Sequence, residues 1–362
     1  MSTDEVESTF FQRTSRWKFI LILLVLALII TVIISLGVGS TPVPLSDIVT
    51  VIGKNIPFLG GHIDSSAVTP QNEAIILEVR LPRIMAGVLI GAALAAAGVL
   101  YQGVFKNPMA DSYVLGVSAG AAVGASVAIL SGIGFVFLEL RLVQIAAFLG
   151  AIFAMFLVYN LSRVGSRVPV TTLLLCGIAV NFFLFAVVGI LEIVAGNQLP
   201  DIVFWLMGGY SNVYWKDIFA VLPFIIIGII LAYFYARDLN LLAMGEETAH
   251  HLGLNVERTK QILLVLASLI TAAAVSICGL IGFVGLMIPH LTRLVIGPDH
   301  RILFPTSTII GAIFLVICDD LARVVATPFA STLEIPVGIV TMLFGAPFFI
   351  FLLKKKKQSY SA

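Results

Sequence analysis

Five ionisable side chains within or beside long apolar segments are the first candidates for chemistry in this sequence. Asp319, Asp320 and Arg323 end one apolar run, Glu192 ends another, and His290 lies inside a short one. Ionisable residues in such surroundings are costly and usually functional. Because Asp319 and Arg323 stand four residues apart, they can pair on one helix face. The five residues do not form a series that would carry protons through an apolar layer.

Motifs of covalent chemistry are missing from the sequence. We find no GxxxxGK[ST] phosphate loop, no HExxH or GxSxG pattern and no pair of catalytic carboxylates. Cys176, Cys278 and Cys318 lie in apolar runs without a CxxC spacing, so they indicate neither a disulfide framework nor a metal site. We therefore predict that this chain has no catalytic residues, binds no metal and holds no cofactor.

The composition places these residues in a membrane protein. Of 362 residues, 11% are charged and 59% are apolar, and the mean hydropathy is +1.08. A soluble domain has about a quarter of its residues charged. This chain would expose large apolar patches in water, which excludes an ordinary soluble enzyme and a disordered protein. The net charge of +1 argues against a nucleic-acid partner and leaves membrane lipid as the solvent of the outer face.

The elements that must position the candidate residues are apolar helices that cross the bilayer. A crossing needs about 20 apolar residues. The fold class predicted is all-α, with about ten transmembrane helices. They lie at about 18–37, 84–105, 112–130, 142–162, 171–191, 213–236, 260–279, 283–297, 302–318 and 335–353. The eighth is short because Gly279, Gly282, Gly285 and Pro289 interrupt the apolar stretch that it shares with the seventh.

The distribution of Lys and Arg predicts that both termini are cytoplasmic. With ten spans, the predicted inner segments hold 15 of these residues and the outer segments hold 6. The inner ones include the run of lysines at 354–357, which a nine-span chain would place outside. We predict one transmembrane domain over 1–362, with a cytoplasmic tail at 1–17, an extracytoplasmic loop at 38–80 and a cytoplasmic loop at 237–259.

Two patterns suggest how the helices pack and where a partner binds. Small residues recur every four positions at Gly116, Gly120 and Gly124, and a similar run begins with Gly87 and Gly91, which favours close helix packing. The inner loop at 237–259 has an amphipathic helical pattern, typical of a surface helix or of a helix that lies in a partner's groove.

Long ordered motifs over about 80–353 resemble the permease family of ABC importers for iron–siderophores, haem and cobalamin. The chain is similar to the cobalamin-importer permease type. The motifs are RLPRIMAGVLIGAALAAAGVLYQGVFKNPMADSYVLGVSAGA at 80–121, LLLCGIAVN at 173–181, FWLMGG at 204–209, LNLLAMGEETAHHLGL at 239–254, GLIGFVGLMIPHLTRLVIGPDHRILFP at 279–305, ICDDLAR at 317–323 and EIPVGIVTMLFGAPFFIFLL at 334–353.

The resemblance implies a transport subunit that works in a complex. It implies a second permease subunit, in a homodimer with the pathway between the subunits, two cytoplasmic cassette ATPases and an extracytoplasmic substrate-binding protein. ATP and Mg would be bound by the ATPase partner. The cargo would be a metal chelate: an iron–siderophore, cobalamin or haem.

The resemblance also implies roles for three groups of residues. Arg80, Arg83 and Arg323 would receive acidic residues of the binding protein, since the guanidinium fork suits carboxylates, although such arginines also serve as interface anchors. Asn107, Met109, Val170 and Thr171 would form the cytoplasmic gate, with Met109 where relatives commonly carry Leu. The residues that would contact the ATPase are Leu242, Glu247, Ala249, Leu252, Gly253 and Leu254.

Three alternatives remain open from the sequence. A molybdate or tungstate importer of the same family would differ in cargo alone. A secondary transporter driven by an ion gradient would need a carboxylate near mid-membrane, and the spans carry no charge there. An intramembrane enzyme would need a catalytic constellation that the sequence lacks.

Overall fold

The computed structural model describes residues 3–39, 41–55, 64, 68–137, 140–165, 167–326 and 334–360. Side chains are described from residue 15 onward, except at 352–353 and 355–360. The helices are α1 Thr3–Gly37, α2 Leu45–Asn55, α3 Pro70–Ala74, α4 Leu81–Phe105, α5 Val117–Ser131, α6 Leu142–Leu161, α7 Val170–Val194, α8 Leu199–Met207, α9 Trp215–Phe234, α10 Ala236–Ala243, α11 Glu246–His251, α12 Val256–Cys278, α13 Val284–Ile296, α14 His300–Ala326 and α15 Val337–Tyr360.

Shorter elements complete the described chain. A π-helical turn, Ile75–Arg80, joins α3 to α4, and 3-10 turns lie at Ser112–Leu115 and Gly196–Gln198. The strands β1, Val136–Phe137, and β2, Leu140–Arg141, form an antiparallel hairpin in which Val136 pairs with Arg141.

Ten apolar helices match the ten predicted spans, so the all-α membrane architecture is confirmed. Seven are long enough to cross a bilayer: α1, the continuous α3–α4 segment, α6, α7, α9, α12 and α14. Among the described residues, α5, α13 and the apolar part of α15, Val337–Phe351, are shorter.

Some boundaries differ from the predicted ones. The helix α1 begins at Thr3, so the polar tail predicted at 1–17 continues the first span as a helix. The predicted outer loop at 38–80 contains α2, α3 and the π-helical turn, and its residues 56–63 and 65–67 lie outside the described part. Thr69 caps α3 by accepting a hydrogen bond from the backbone N–H of Asn72, and Pro70 occupies the first helical position, where its missing N–H costs nothing.

The helix α4 lies at the centre of the bundle because its glycines allow close helix contacts. It packs against α14, α12, α13 and α9. A Cβ atom at Gly98 would lie 1.9 Å from the carbonyl oxygen of Gly285 on α13, and one at Gly91 would lie 2.3 Å from that of Gly311 on α14. The close packing predicted from the small residues is therefore confirmed at Gly91.

The second glycine run has two different uses. Gly120 and Gly124 face α6, where added Cβ atoms would lie 2.3 Å from the oxygen of Gly150 and 2.0 Å from that of Ala146. Gly116 instead has a φ of +73° and ends the 3-10 turn before α5, which is a left-handed conformation that favours glycine.

The predicted interruption between the seventh and eighth spans is confirmed as a non-helical segment between α12 and α13. Backbone groups freed by such a break are tolerated at membrane depth only where protein surrounds them. Here the N–H of Gly209 donates to the carbonyl of Cys278 at 2.7 Å, and the N–H of Gly338 donates to that of Gly208 at 3.0 Å. The segment after α8 is thus bonded to the end of α12 at the break, and the start of α15 is bonded in turn to that segment.

Candidate functional site

Asp319 is the centre of a buried charge network at the end of the bundle that the charge distribution predicts to be extracytoplasmic. Its carboxylate accepts hydrogen bonds from Arg83 Nε at 3.0 Å and Arg83 Nη2 at 2.9 Å. It also pairs with Arg323 Nε at 3.1 Å, so the pair predicted from the i, i+4 spacing is confirmed. We call Arg80, Arg83, Asp319, Asp320, Arg323 and Glu334 the outer cluster.

The loop after α1 and the segment before α15 complete the outer cluster. Arg83 Nη1 donates to Glu334 at 2.6 Å. Arg323 donates to the hydroxyl of Ser35 at 2.9 Å and to the carbonyl of Val38 at 2.7 Å, and it also pairs with Asp320. Arg80 donates to the carbonyls of residues 36 and 41. Four separate segments of the chain are therefore tied together at one end.

The three arginines predicted to receive acidic residues of a binding protein are buried, and that role stays a prediction. The exposed fractions of Arg80, Arg83 and Arg323 are 5%, 7% and 7%. The cluster contains three arginines and three carboxylates, so it has no excess positive charge to attract an acidic partner. Buried charges of this kind persist because they are paired. Glu334 is the accessible member, since its side chain is 46% exposed.

A cleft of about 540 Å³ opens beside the outer cluster. Arg83, Asp319 and Glu334 line it on one side, and Trp205 and Asn212 line it on another. The cleft therefore places charged, aromatic and amide groups next to each other at the mouth of the bundle.

The predicted inner loop forms the two short helices α10 and α11, which we call the inner element. Gly245 and Gly253 follow these helices with φ of +118° and +90°, in the conformation that favours glycine at helix ends. A Cβ atom at Gly253 would meet no atom within 4 Å. The turn at Gly253 is thus required by backbone conformation and not by crowding.

The expectation that all the apolar side chains of the inner element face a partner is wrong for two of them. Leu242 and Ala249 are buried within this chain, and Leu254 is half-buried. Leu252 is exposed together with Met244 and Glu247, so these side chains belong to the surface open to a partner. The sequence pattern identified the amphipathic character of the loop, but the bundle itself covers the most regular apolar positions.

Asn240 attaches the inner element to the start of α14. Its amide Nδ2 donates to Asp299 at 2.8 Å, while its Oδ1 accepts from the backbone N–H of His300 at 2.9 Å. Burial disfavours the Asp299 carboxylate, but hydrogen bonds from Arg301 and Asn240 outweigh it and hold the pKa of Asp299 well below its usual range. Because α14 ends at the outer cluster, one continuous helix links the two sites.

Lys260 attaches the inner element to the start of α7. It is buried, and its Nζ lies 3.3 Å from Glu246 of α11 and 2.8 Å from Glu257 of α12. Glu257 accepts from the backbone N–H of Val168 at 3.1 Å, and Lys260 donates to the carbonyl of Val168 at 3.5 Å. The sequence patterns did not predict this link, although a lysine next to a run of apolar residues indicates a buried charge that needs a partner.

The four predicted gate residues lie at the same end of the bundle as the inner element. The Asn107 side chain accepts from the backbone N–H of Met109 at 2.9 Å, which fixes the turn after α4. Met109 and Thr171 are exposed and Val170 is half-buried at the start of α7. In the described part of the chain, no hydrogen bond joins the turn at 107–109 to Val170 or Thr171.

Known transport proteins are similar to this chain in sequence. A family model described as the FecCD transport family matches residues 27–355. The cobalamin import system permease protein of Halobacterium salinarum is 44% identical over 87% of this chain and 86% of its own length. The hemin transport system permease protein of Yersinia pestis is 39% identical over 81% of this chain and 88% of its own length.

A solved structure has the same fold over nearly the whole chain. It is described as an inward-facing conformation of a metal-chelate type ABC transporter. Its TM-score is 0.79 at 31% sequence identity, and the match covers 93% of this chain and 99% of the other.

Proposed function

The chain belongs to the FecCD transport family, and from this premise we propose that it imports a metal chelate as the permease subunit of an ABC importer. The observation that carries the proposal is the inner element. The chain has no phosphate-binding loop of its own, yet it presents a structured two-helix element at the end predicted to be cytoplasmic. Such an element suits the transfer of movement from a separate ATPase.

The complex we propose has the partners expected from the family resemblance. Two cassette ATPases bind ATP and Mg and dock on the inner elements of two copies of this chain, and a binding protein delivers cargo to the opposite face. Both termini are cytoplasmic. Exposed apolar side chains on α7, among them Phe182, Phe183 and Ile193, are available for lipid or for the second subunit.

Coupling in this proposal runs through the contacts of the inner element. An ATPase that grips Met244, Glu247 and Leu252 moves α10 and α11 as a unit. Because Lys260 joins α11 to the segment before α7, the movement reaches Val170 and Thr171. The gate at the inner end then opens or closes as the ATPases change shape.

Docking of the binding protein centres on Arg83 in this proposal. Asp319 is buried and keeps its place, whereas Glu334 is accessible and its segment lies next to the cleft. A carboxylate of the binding protein replaces Glu334 at Nη1 of Arg83, while Nε and Nη2 stay bound to Asp319. One carboxylate takes the place of another, so the charge balance is kept. Docking therefore releases the 334–336 segment from the outer cluster.

The cargo is tested by uptake into reconstituted vesicles. The permease, its ATPase and its binding protein are supplied with radiolabelled cobalamin, haem, an iron–siderophore or molybdate in separate reactions. The proposal expects accumulation of one chelate that the binding protein also binds. Accumulation of molybdate or tungstate alone would replace the chelate with an oxyanion and leave the assignment as a permease intact.

A further inference from the structure

A groove at the inner end of the bundle includes the start of α10 but none of the inner-element side chains proposed to contact the ATPase and none of the gate residues. Its walls are the first apolar turns of α1 and the junction of α9 with α10, and its floor is the start of α14. Its volume is about 530 Å³. The side chains that matter for its chemistry are Trp17, Lys18, Leu21, Phe234, Arg237 and Arg301.

The groove has unneutralised positive charge. Arg301 is paired with Asp299 at 2.7 Å, and its guanidinium stands over the ring of Trp17 at 5.3 Å. Lys18 and Arg237 are exposed and have no ion pair within the described part of the chain. Two cations therefore remain for a ligand, on opposite walls of one groove.

The order of polar and apolar groups along the groove matches its position at the membrane surface. Lys18 directly precedes the apolar run of α1, and Arg237 lies three residues after the end of α9 at Phe234. Leu21 and Phe234 continue the lining with apolar surface. Tryptophan at this depth is typical of the interface between headgroups and hydrocarbon.

We propose that this groove binds the headgroup of an anionic glycerophospholipid of the inner leaflet. The lipid phosphate lies between Lys18 and Arg237, and an acyl chain follows Leu21 and Phe234. Basic pockets between transmembrane helices on the cytoplasmic side are suited to such headgroups. This site would not bind the transported cargo. It would hold α1, the α9–α10 junction and the start of the inner element at the bilayer surface.

The test uses the full chain in nanodiscs and the fluorescence of Trp17. Trp205 and Trp215 are replaced by Phe, which leaves Trp17 as the single tryptophan of the three in the sequence. Brominated phosphatidylglycerol is titrated into phosphatidylcholine, and quenching is compared with that by brominated phosphatidylcholine. We expect brominated phosphatidylglycerol to quench Trp17 at a lower lipid content than brominated phosphatidylcholine does. Equal quenching by both lipids would refute the site.

A matched pair of double variants distinguishes a specific lipid site from general attraction of anionic lipid to positive charge. Lys18→Gln with Arg237→Gln should shift half-maximal quenching at least about tenfold, since each surface cation contributes about 1 kcal/mol. Arg163→Gln with Arg167→Gln removes two exposed cations at the same end but outside the groove, and should leave the titration unchanged. Equal shifts in both variants would overturn the proposal.

Two further measurements identify the source of the phosphate and guard against misfolding. Excess inorganic phosphate should not relieve quenching by the brominated lipid, and full relief would show a free-anion site instead. Native mass spectrometry of the unsubstituted chain should show phosphatidylglycerol retained after exchange into phosphatidylcholine. Loss of all anionic lipid in that exchange would contradict the proposal whatever the variants do.

Discussion

Asp319 binds two arginines at once, and this makes it the residue on which the outer cluster depends. The change Asp319→Asn removes the one carboxylate that Arg83 and Arg323 share and leaves each with a single carboxylate partner, Glu334 or Asp320. Breaking a buried ion pair in this way typically costs about 3–5 kcal/mol. We expect a clear fall in the thermal unfolding midpoint of the purified chain. Glu334→Gln, at an accessible partner of the same arginine, should cost only about 0–1 kcal/mol. Equal midpoints for the two variants would contradict the central position of Asp319.

Lys260 offers a test of coupling at a single side chain. In Lys260→Met, the carboxylates of Glu246 and Glu257 are left with 42% and 33% side-chain exposure, so water can solvate them and the fold should survive. We expect ATP hydrolysis to continue while uptake per ATP falls about 2- to 30-fold, the range of coupling energies carried by such links.

Controls distinguish coupling from structure at Lys260. Lys260→Arg keeps the charge and should restore much of the uptake, and Arg258→Met removes a nearby exposed cation and should change nothing. If Lys260→Met lowers hydrolysis and uptake equally, or if it changes neither, Lys260 does not transmit movement to the gate.

The sequence predicted the burial and the contacts of single residues less well than it predicted the helices. The Asp319–Arg323 pair followed from local spacing and was correct. The burial of the arginines did not follow, because their partners Ser35 and Glu334 lie hundreds of residues away along the chain. Likewise, the pattern of the inner loop showed which side chains are apolar but not that the bundle already covers Leu242 and Ala249.

The contact of α4 with α13 is the element-scale feature with the least tolerance for change. Since a Cβ atom at Gly98 would lie 1.9 Å from a backbone oxygen, Gly98→Ala must push the helices apart. Overpacking of this kind costs about 1–3 kcal/mol. We expect a lower unfolding midpoint and less folded protein on size-exclusion chromatography.

The matched control lies on α7, where a Cβ atom at Gly189 would meet no atom within 4 Å. Gly189→Ala should be neutral or stabilise the helix by about 0.5–1 kcal/mol. A destabilisation as large as that of Gly98→Ala would mean that the close contact of α4 with α13 does not set the result.

Elements were predicted better than residues because apolar length and glycine spacing are local signals. The break between α12 and α13 followed from Gly279 and Gly282, which lie in it, whereas Gly285 and Pro289, also predicted to interrupt the apolar stretch, lie within α13. The helical content of 38–80 did not follow from the sequence, since α2 and α3 are short, and α2 owes its position to long-range contacts through its buried Ile48 and Val51.

At the scale of the whole molecule, orientation in the membrane remains a prediction from charge. We expect alkaline phosphatase fused after Ala362 to be inactive and a green fluorescent protein at the same place to fluoresce, because the lysines at 354–357 favour the cytoplasm. Phosphatase fused after Gly134, between α5 and α6, should be active. Active phosphatase after Ala362 would contradict a cytoplasmic C-terminus.

The energy source of uptake tests the central claim most directly. Proteoliposomes contain the permease, its cassette ATPase and the binding protein. Labelled chelate is added on the side of the binding protein, and ATP is supplied on the ATPase side. We expect the chelate to accumulate only when ATP and the ATPase are both present. Accumulation should persist when an ionophore removes all ion gradients. Accumulation without the ATPase, driven by an ion gradient and abolished by the ionophore, would show a secondary transporter and contradict the account.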